Sequence, residues 1–175
     1  MLVINFNQHF LWSKSMYKYI YRRFPIFDLN ITIKEDYIIG LEFLKKDPTL
    51  VMEGLINNKL VDKINDQLDC YLKDSKFKFN LPMYINGTLH QEKVWEQMLL
   101  INPGSVMSYK DIAQKIKSSP RAVGNACGRN KIALIIPCHR VISTSGRLGG
   151  FMKSATGYTI EIKSWLLKHE GVILN

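Results

Sequence analysis

Between Thr88 and Arg129 the chain carries three helix starts and one hard stop, and that density of punctuation constrains the fold more than any other feature. Thr88 with Gln91, and Ser108 with Asp111, are capping-box pairs in which each side chain can satisfy the other's exposed backbone donor. Asn102-Pro103-Gly104 stops the helix that Thr88 opens, after an apolar face of Val94, Trp95, Met98 and Leu99. Ser119 before Pro120 marks the third start, because proline at the first helical position gives up no hydrogen bond. The spacing predicts one helix from Thr88 and a second from Ser108 through Lys117, with Ile112, Ala113 and Ile116 inward. It predicts a third from Ser119 to about Arg129. The second and third, joined by a tight polar turn, make a helix-turn-helix candidate.

The third of these helices, SPRAVGNACGRN, is poor in bulky side chains: Ala122, Gly124, Ala126 and Gly128 fall at alternate positions. Glycine costs about 1 kcal/mol in a helix relative to alanine, so its presence implies close approach of another surface or tight helix packing. A short apolar run, IALII, follows and ends at Pro137, and Cys138-His139-Arg140 comes next. A glycine-rich loop, STSGRLGGF, leads to a last helix from about Thr159 to His169, with Ile162, Trp165, Leu166 and His169 on one face and Gly171 as its stop.

The first half reads differently. YKYIYRRF, LNITI and YIIGLEF have strand character, and a helix is predicted from Pro48 to about Leu72, with Leu60, Val61, Ile64, Leu68, Tyr71 and Leu72 on one face. The stretch KDSKFKFNLPMYING is polar and broken by Pro82 and Asn86-Gly87, and reads as a linker. The chain therefore divides into residues 1–82, a small unit mixing strands and a helix, and residues 83–175, a helical unit; the fold class is α+β. The net charge of +9 is concentrated in the second unit, which carries +7 against +2 in the first. A basic half suggests a polyanionic partner, nucleic acid first, beside the alternative of a merely soluble basic surface.

Three cysteines with no paired spacing are not a disulfide framework, and they fit a reducing, intracellular setting. No run of about 18 apolar residues exists, which argues against a membrane span, and the polar Asn5, Asn7, Gln8 and His9 argue against a signal peptide. No metal site is expected, since Cys138 and His139 are adjacent whereas structural zinc ligands stand two to four residues apart. Neither a P-loop nor a dinucleotide glycine fingerprint is present, and no cofactor is expected.

Cys138 is the outstanding candidate for chemistry. It sits between a proline and a His-Arg pair, and basic neighbours favour the thiolate, the reactive form. The competing reading is a buried structural cysteine. Cys127 reads as a small core residue and Cys70 as inert. His9 and His90 have surface or capping roles, and His169 is a packing residue.

These residues carry a resemblance. IPCHRV, residues 136–141, is similar to the active-site signature of the O6-alkylguanine-DNA alkyltransferases (methylated-DNA–protein-cysteine methyltransferases). The similarity runs on through MSYKDIA, SSPRAVGNACGRN, IIPCHRVISTSGRLGGF and WLLKHEG in the family's order, over nearly all of residues 90–171. It implies repair by direct reversal, in which the alkyl group of O6-alkylguanine moves irreversibly to Cys138, one per protein molecule. The resemblance makes Cys138 the nucleophile, His139 its base through a water, and Glu170 the acid that orients and stabilises protonated His139. Tyr109 donates a proton to the leaving guanine, and Asn130 braces the turn before the active site. Val141 offers a backbone carbonyl to the guanine, and Pro137, Gly150 and Phe151 help wall the pocket.

For DNA, the resemblance implies that the damaged base flips out, that Arg121 fills the gap in the stack, and that Ala122, Gly124 and Ala126, with Tyr109, let the helix lie close in the minor groove. It implies an antiparallel sheet in the first unit, a winged-helix-like second unit, double-stranded DNA as partner, action as a monomer, and a cytoplasmic location, or nuclear if the source is a eukaryote. Three departures stand out. Ala133 replaces a frequent proline, which would widen the pocket. Asn125 replaces a frequent glycine. Residues 152–162, MKSATGYTIEI, are longer than the usual connection to the last helix, and zinc ligands found in some relatives' first units have no counterpart. Three other readings stay open: a non-catalytic lesion binder of the same fold, a helix-turn-helix regulator, and a cysteine hydrolase.

Overall fold

The computed structural model describes residues 4–6, 17–48 and 58–173. Three strands, β2 (Lys18–Arg23), β3 (Phe27–Lys34) and β4 (Tyr37–Lys45), form an antiparallel meander, as the strand-like runs predicted. Alternation drives the pairing from Leu29 onward: Leu29, Ile31 and Ile33 on β3 are buried while Asn30, Thr32 and Lys34 are only half so, and at the strand's start Phe27 and Asp28 are both buried. The sheet then departs from the antiparallel expectation. A strand β5 (Met83–Ile85) pairs parallel both to β4 and to β1 (Ile4–Phe6), giving the order β1-β5-β4-β3-β2.

β5 also corrects the linker reading. Met83 and Ile85 are fully buried, and only three residues pair, too few for a period to show amid polar neighbours. The first helix, α1 (Lys59–Lys73), starts later than Pro48: Asn58 caps it, its side chain accepting from the Leu60 amide at 2.7 Å. Residues 49–57 lie outside the described part of the chain, as does His9. The predicted apolar face holds, with Leu60, Val61, Ile64, Leu68 and Tyr71 buried.

Both capping boxes of the second half form. Thr88 opens α2 (Leu89–Leu99), and Ser108 opens α3 (Tyr109–Lys115). Ser119 caps α4 (Pro120–Cys127), with Pro120 in its first turn. Each such cap is worth about 1 kcal/mol. Helices α3 and α4 pack on one another as the helix-turn-helix pattern predicted, and α2 backs α4. Each ends two residues earlier than expected, because Lys117 takes a left-handed φ of 54° and Gly128 serves as the C-cap of α4. A two-stranded parallel ribbon, β6 (Met107–Ser108) with β7 (Val141–Ile142), ties the entry of α3 to the segment after Cys138. The last helix is α5 (Tyr158–His169).

The buried residues of both halves form one continuous core. Trp165 of α5 sets its ring edge-on against Phe27 and Phe24, at 5.5 and 6.1 Å between centroids. Phe151 packs on Phe43 of β4 at 5.7 Å, and the Leu41 amide donates to the Lys131 carbonyl at 2.7 Å. His169 is the packing residue expected, stacked on Trp165 and hydrogen-bonded to the Tyr71 carbonyl at 2.7 Å. Among the described residues no helix is long and apolar enough to cross a membrane.

Candidate active site

The run Ile132–Ile136 is neither helix nor regular strand; it touches β4 through a single bridge from Ile132 to Leu41 and folds back on itself between Ala133 and Ile136. Leu134 adopts φ 81°, a strained conformation for a branched side chain. Asn130 holds this bend from both ends, its side-chain amide donating to the Ile136 carbonyl at 2.8 Å and its side-chain oxygen accepting from the Ile132 amide at 3.0 Å. The bend delivers Pro137 and a single 3-10 turn, Cys138–Arg140. Ala133 is buried in the bend, behind the wall of the cavity rather than on it.

Cys138 is buried, yet it lies on the wall of an open cleft of about 1020 Å³. Tyr109, Arg121, Gly124, Cys127, Gly150 and Phe151 share that wall. Burial pushes the Cys138 thiol up, while the side chain of Asn130 and the ammonium of Lys163 favour the thiolate. Cys127 is in the core as predicted, 3.6 Å from Met98 sulfur, and it also faces the cleft.

Behind Cys138, His139 and Glu170 are fully buried. His139 Nε2 lies 3.0 Å from Glu170 Oε1, and Nδ1 has no hydrogen-bond partner among the described residues. An ionised Glu170 accepts at Oε1, so Nε2 carries the hydrogen and Nδ1 presents a lone pair. Burial pushes His139 below its ordinary pKa, as do the charges of Arg140 and Lys163, although the Glu170 carboxylate pulls the other way. The imidazole is therefore neutral at rest.

Glu170 holds more partners than the sequence suggested. Arg140 donates to both its oxygens, from Nε at 2.9 Å and from a terminal nitrogen at 2.8 Å, and the Tyr71 hydroxyl donates at 3.1 Å. Burial alone would push Glu170 up, but the bonds from His139 and Arg140 outweigh it and hold the carboxyl well below the usual carboxylate range. Removing the carboxylate would strand a buried guanidinium, a loss of about 3–5 kcal/mol.

Tyr109, the first residue of α3, donates its hydroxyl to the Gly150 carbonyl at 3.2 Å. Burial pushes its pKa up, as do the two neighbouring thiols, so it stays a neutral proton donor. Gly149 lies flat against its ring with φ 67°, where a side chain would be both strained and within 3.0 Å of the phenol. Lys163, which the sequence reading passed over, is fully buried on α5. Its ammonium donates to the carbonyls of Val141 at 2.6 Å and Gly150 at 3.1 Å, and to that of Leu148, and stands 5.9 Å from the Tyr109 ring centre. Burial lowers its pKa to about 8. Only its place on the apolar side of α5 could have betrayed it, since lysine in a helix otherwise reads as solvated. Val141 and Pro137 are buried beside the cleft rather than on its wall.

On α4, Arg121 is exposed and Ala122 and Gly124 are half-buried, so these three present a surface. Ala126 is only 2% exposed but also lines the cleft, and its carbonyl accepts from the Trp95 indole at 3.0 Å, which ties α2 to α4. His90 bonds Ser118 at 2.8 Å, tying α2 to the turn of the helix-turn-helix, and among the described residues no cluster of three His, Cys, Asp or Glu could hold a metal.

Residues 89–172 match the family model described as "6-O-methylguanine DNA methyltransferase, DNA binding domain". The chain is 32% identical to the methylated-DNA–protein-cysteine methyltransferase of Metallosphaera sedula over 86% of this chain and 90% of the relative. It is 35% identical to that of Sulfolobus acidocaldarius, over 85% and 89%. Among solved structures it resembles the O6-methylguanine methyltransferase of Mycobacterium tuberculosis, with TM-score 0.70, 30% identity, and coverage of 89% of this chain and 93% of the other. A Mycobacterium tuberculosis OGT in complex with DNA matches with TM-score 0.70 and 33% identity, over 87% and 91%.

Proposed function

The chain belongs to the O6-methylguanine-DNA methyltransferase family, and we propose that Cys138 is the alkyl-accepting residue, that His139 and Tyr109 move the protons, and that Glu170 orients and stabilises His139. The protein is a DNA-binding methylated-DNA–protein-cysteine methyltransferase that repairs DNA by direct reversal. The observation that carries the residue assignment is the His139 ring: Nε2 is committed to Glu170, and Nδ1 is buried with its lone pair unused, in the residue after a thiol on a cleft wall.

In this reading the Cys138 proton passes to His139 Nδ1 through one bridging water, and the imidazolium formed is paired with the Glu170 carboxylate. The sulfur attacks the alkyl carbon in line with its bond to guanine O6. A carbon–sulfur bond forms, the carbon–oxygen bond breaks, and its electron pair leaves with the guanine, which takes a proton from Tyr109. Phenolate in so buried a place is costly, and the Lys163 ammonium beside the ring is the cation that offsets it. Asn130 positions the bend that carries the thiol. The thioether product has no leaving group for ordinary thiol exchange, so the protein is spent after one turnover.

The cleft is the place for a flipped guanine, since a stacked base cannot reach a recessed thiol. Arg121, Ala122 and Gly124 form the face toward the duplex. The Val141 carbonyl, which accepts from Lys163 at 2.6 Å, is the backbone group this reading assigns to the guanine. We read the unit of action as a monomer of two parts, residues 1–82 and 83–175, with β5 reaching back into the first. Three free thiols support work in a reducing compartment. Intact-mass spectrometry after incubation with a duplex bearing one O6-methylguanine tests the assignment. One methyl increment per protein, mapped to the peptide holding Cys138, supports it; an increment at Cys127 or Cys70, or none, overturns it.

A further inference from the structure

The connection from Phe151 to α5 opens on a defined turn. Phe151 and Ser154 exchange backbone hydrogen bonds at 2.7 and 2.9 Å, closing a two-residue turn on Met152 and Lys153. Both central residues have positive φ, 50° and 64°, as a type I′ turn requires. Asparagine or glycine takes that conformation readily; methionine and lysine are strained in it. Such strain persists only where the surroundings enforce it, and it concentrates at sites that contact ligands. The surroundings here are firm. The Phe151 ring is buried against Phe43, Met152 packs on the core, and the Ser154 hydroxyl donates to the Thr156 carbonyl at 2.9 Å.

The turn aims Lys153 across the cleft. Its side-chain stem lies over Gly128 at the end of α4, where an added Cβ would come within 3.1 Å of Lys153 Cγ. Lys153 therefore shares the rim of the cleft with Arg129 and Arg121, and all three are exposed. Among the described residues no carboxylate forms a salt bridge with any of them. Arg121 stands at the first turn of α4 and Lys153 over its last, roughly 10 Å apart at 1.5 Å per residue. Three unneutralised cations around one cleft, one of them held on a strained and braced turn, fit a polyanion that lies across the opening.

We propose that Lys153 grips a phosphate of the strand whose damaged base enters the cleft, so that this turn is a second DNA-positioning element beside α4. The inference rests on the reading of the cleft as the seat of a flipped nucleotide. Phosphate contacts fix the register of a protein on DNA without reading sequence, which suits a repair protein. A cation presented on a rigid turn also loses less conformational freedom on binding than one on a loose loop.

The test is the second-order rate of alkyl transfer from an O6-methylguanine duplex at about 50 and about 200 mM salt, a range over which phosphate contacts weaken strongly. Wild type, Lys153→Ala, Lys153→Glu and Lys153→Arg are compared, each also reacted with free O6-benzylguanine. Loss of one phosphate contact lowers the salt slope by about 1, so the advantage of wild type over Lys153→Ala shrinks about 3.5-fold between those salts. Lys153→Glu loses more, Lys153→Arg keeps the wild-type slope, and every loss is larger on duplex than on the free base. An unchanged slope in Lys153→Ala overturns the proposal. So does an equal loss on both substrates, or a Lys153→Arg variant as weak as alanine, because either makes the turn a support of the pocket rather than a hold on DNA. If wild type itself transfers nothing to Cys138, the reading of the cleft has failed instead.

Discussion

The two halves of this molecule obtain their order in opposite ways. From Thr88 to Cys127 the structure is written in contacts three or four residues apart: two capping boxes, an N-cap serine before proline, and short amphipathic faces. In the first half it is written in pairings between distant segments, most plainly where Met83–Ile85 slots between Ile4–Phe6 and β4. The site draws its support from both. Cys138, His139 and Arg140 share one 3-10 turn, whereas the groups around them come from distant segments: Tyr71 from α1, Tyr109 from α3, Lys163 and Glu170 from α5 and its end.

The largest effect expected is at the locally written end. Cys138→Ala abolishes alkyl transfer while lesion binding, read by gel shift, stays; residual transfer in that variant would place the nucleophile elsewhere. Next is Phe27→Ala in the sheet, where a fully buried ring meets Phe24, Phe43 and Trp165. It costs about 3–5 kcal/mol in urea unfolding. Because Trp165 belongs to α5, the loss appears in one transition common to both halves; a second, unshifted transition would restore two independent units and break the comparison.

Arg121→Ala comes third, slowing repair of duplex DNA about tenfold, equivalent to about 1.4 kcal/mol, and reaction with free O6-benzylguanine much less. Equal losses would remove its role in base extrusion. The fourth concerns pH. The folded His139 has a pKa below the ordinary 6.5, so an unfolded chain binds a proton there that the folded protein refuses. Stability from this group is present above about pH 6.5 and is lost as the pH falls further. His139→Gln, which can still donate to Glu170, flattens that part of the urea-stability profile between pH 8 and pH 5; a profile of unchanged slope would mean that His139 is not held neutral. The smallest is Ser119→Ala, about 1 kcal/mol from the lost cap of α4, and its confinement to that helix in hydrogen exchange would sharpen the contrast with Phe27→Ala.

Much of the site was legible because its signals are local or lie in one motif. Cys138, His139, Tyr109, Asn130, Arg121 and Glu170 all stood out, and the structure sets the first five on or beside one cleft. Ala126 reads two ways in the sequence, because small size serves both close approach of a partner and close packing of helices, and periodicity does not separate them. Lys163 and Tyr71 were missed as site residues for a related reason: a lysine in a helix and a tyrosine on an apolar face both have ordinary explanations until their neighbours are known.

The helix starts and stops, the antiparallel meander and the Pro137-Cys138-His139-Arg140 motif were readable along the chain, because capping, turn chemistry and side-chain alternation act within a few residues. The parallel seat of β5, the burial of Lys163 under three carbonyls, and the convergence of Tyr71, His139 and Arg140 on Glu170 came from the packed fold alone. Those depend on which groups meet across separations of up to 99 residues, and burial then sets their charge states. A carboxylate's partners, and so its pKa and its hold on a histidine, are properties of the packed interior rather than of the residues that flank it.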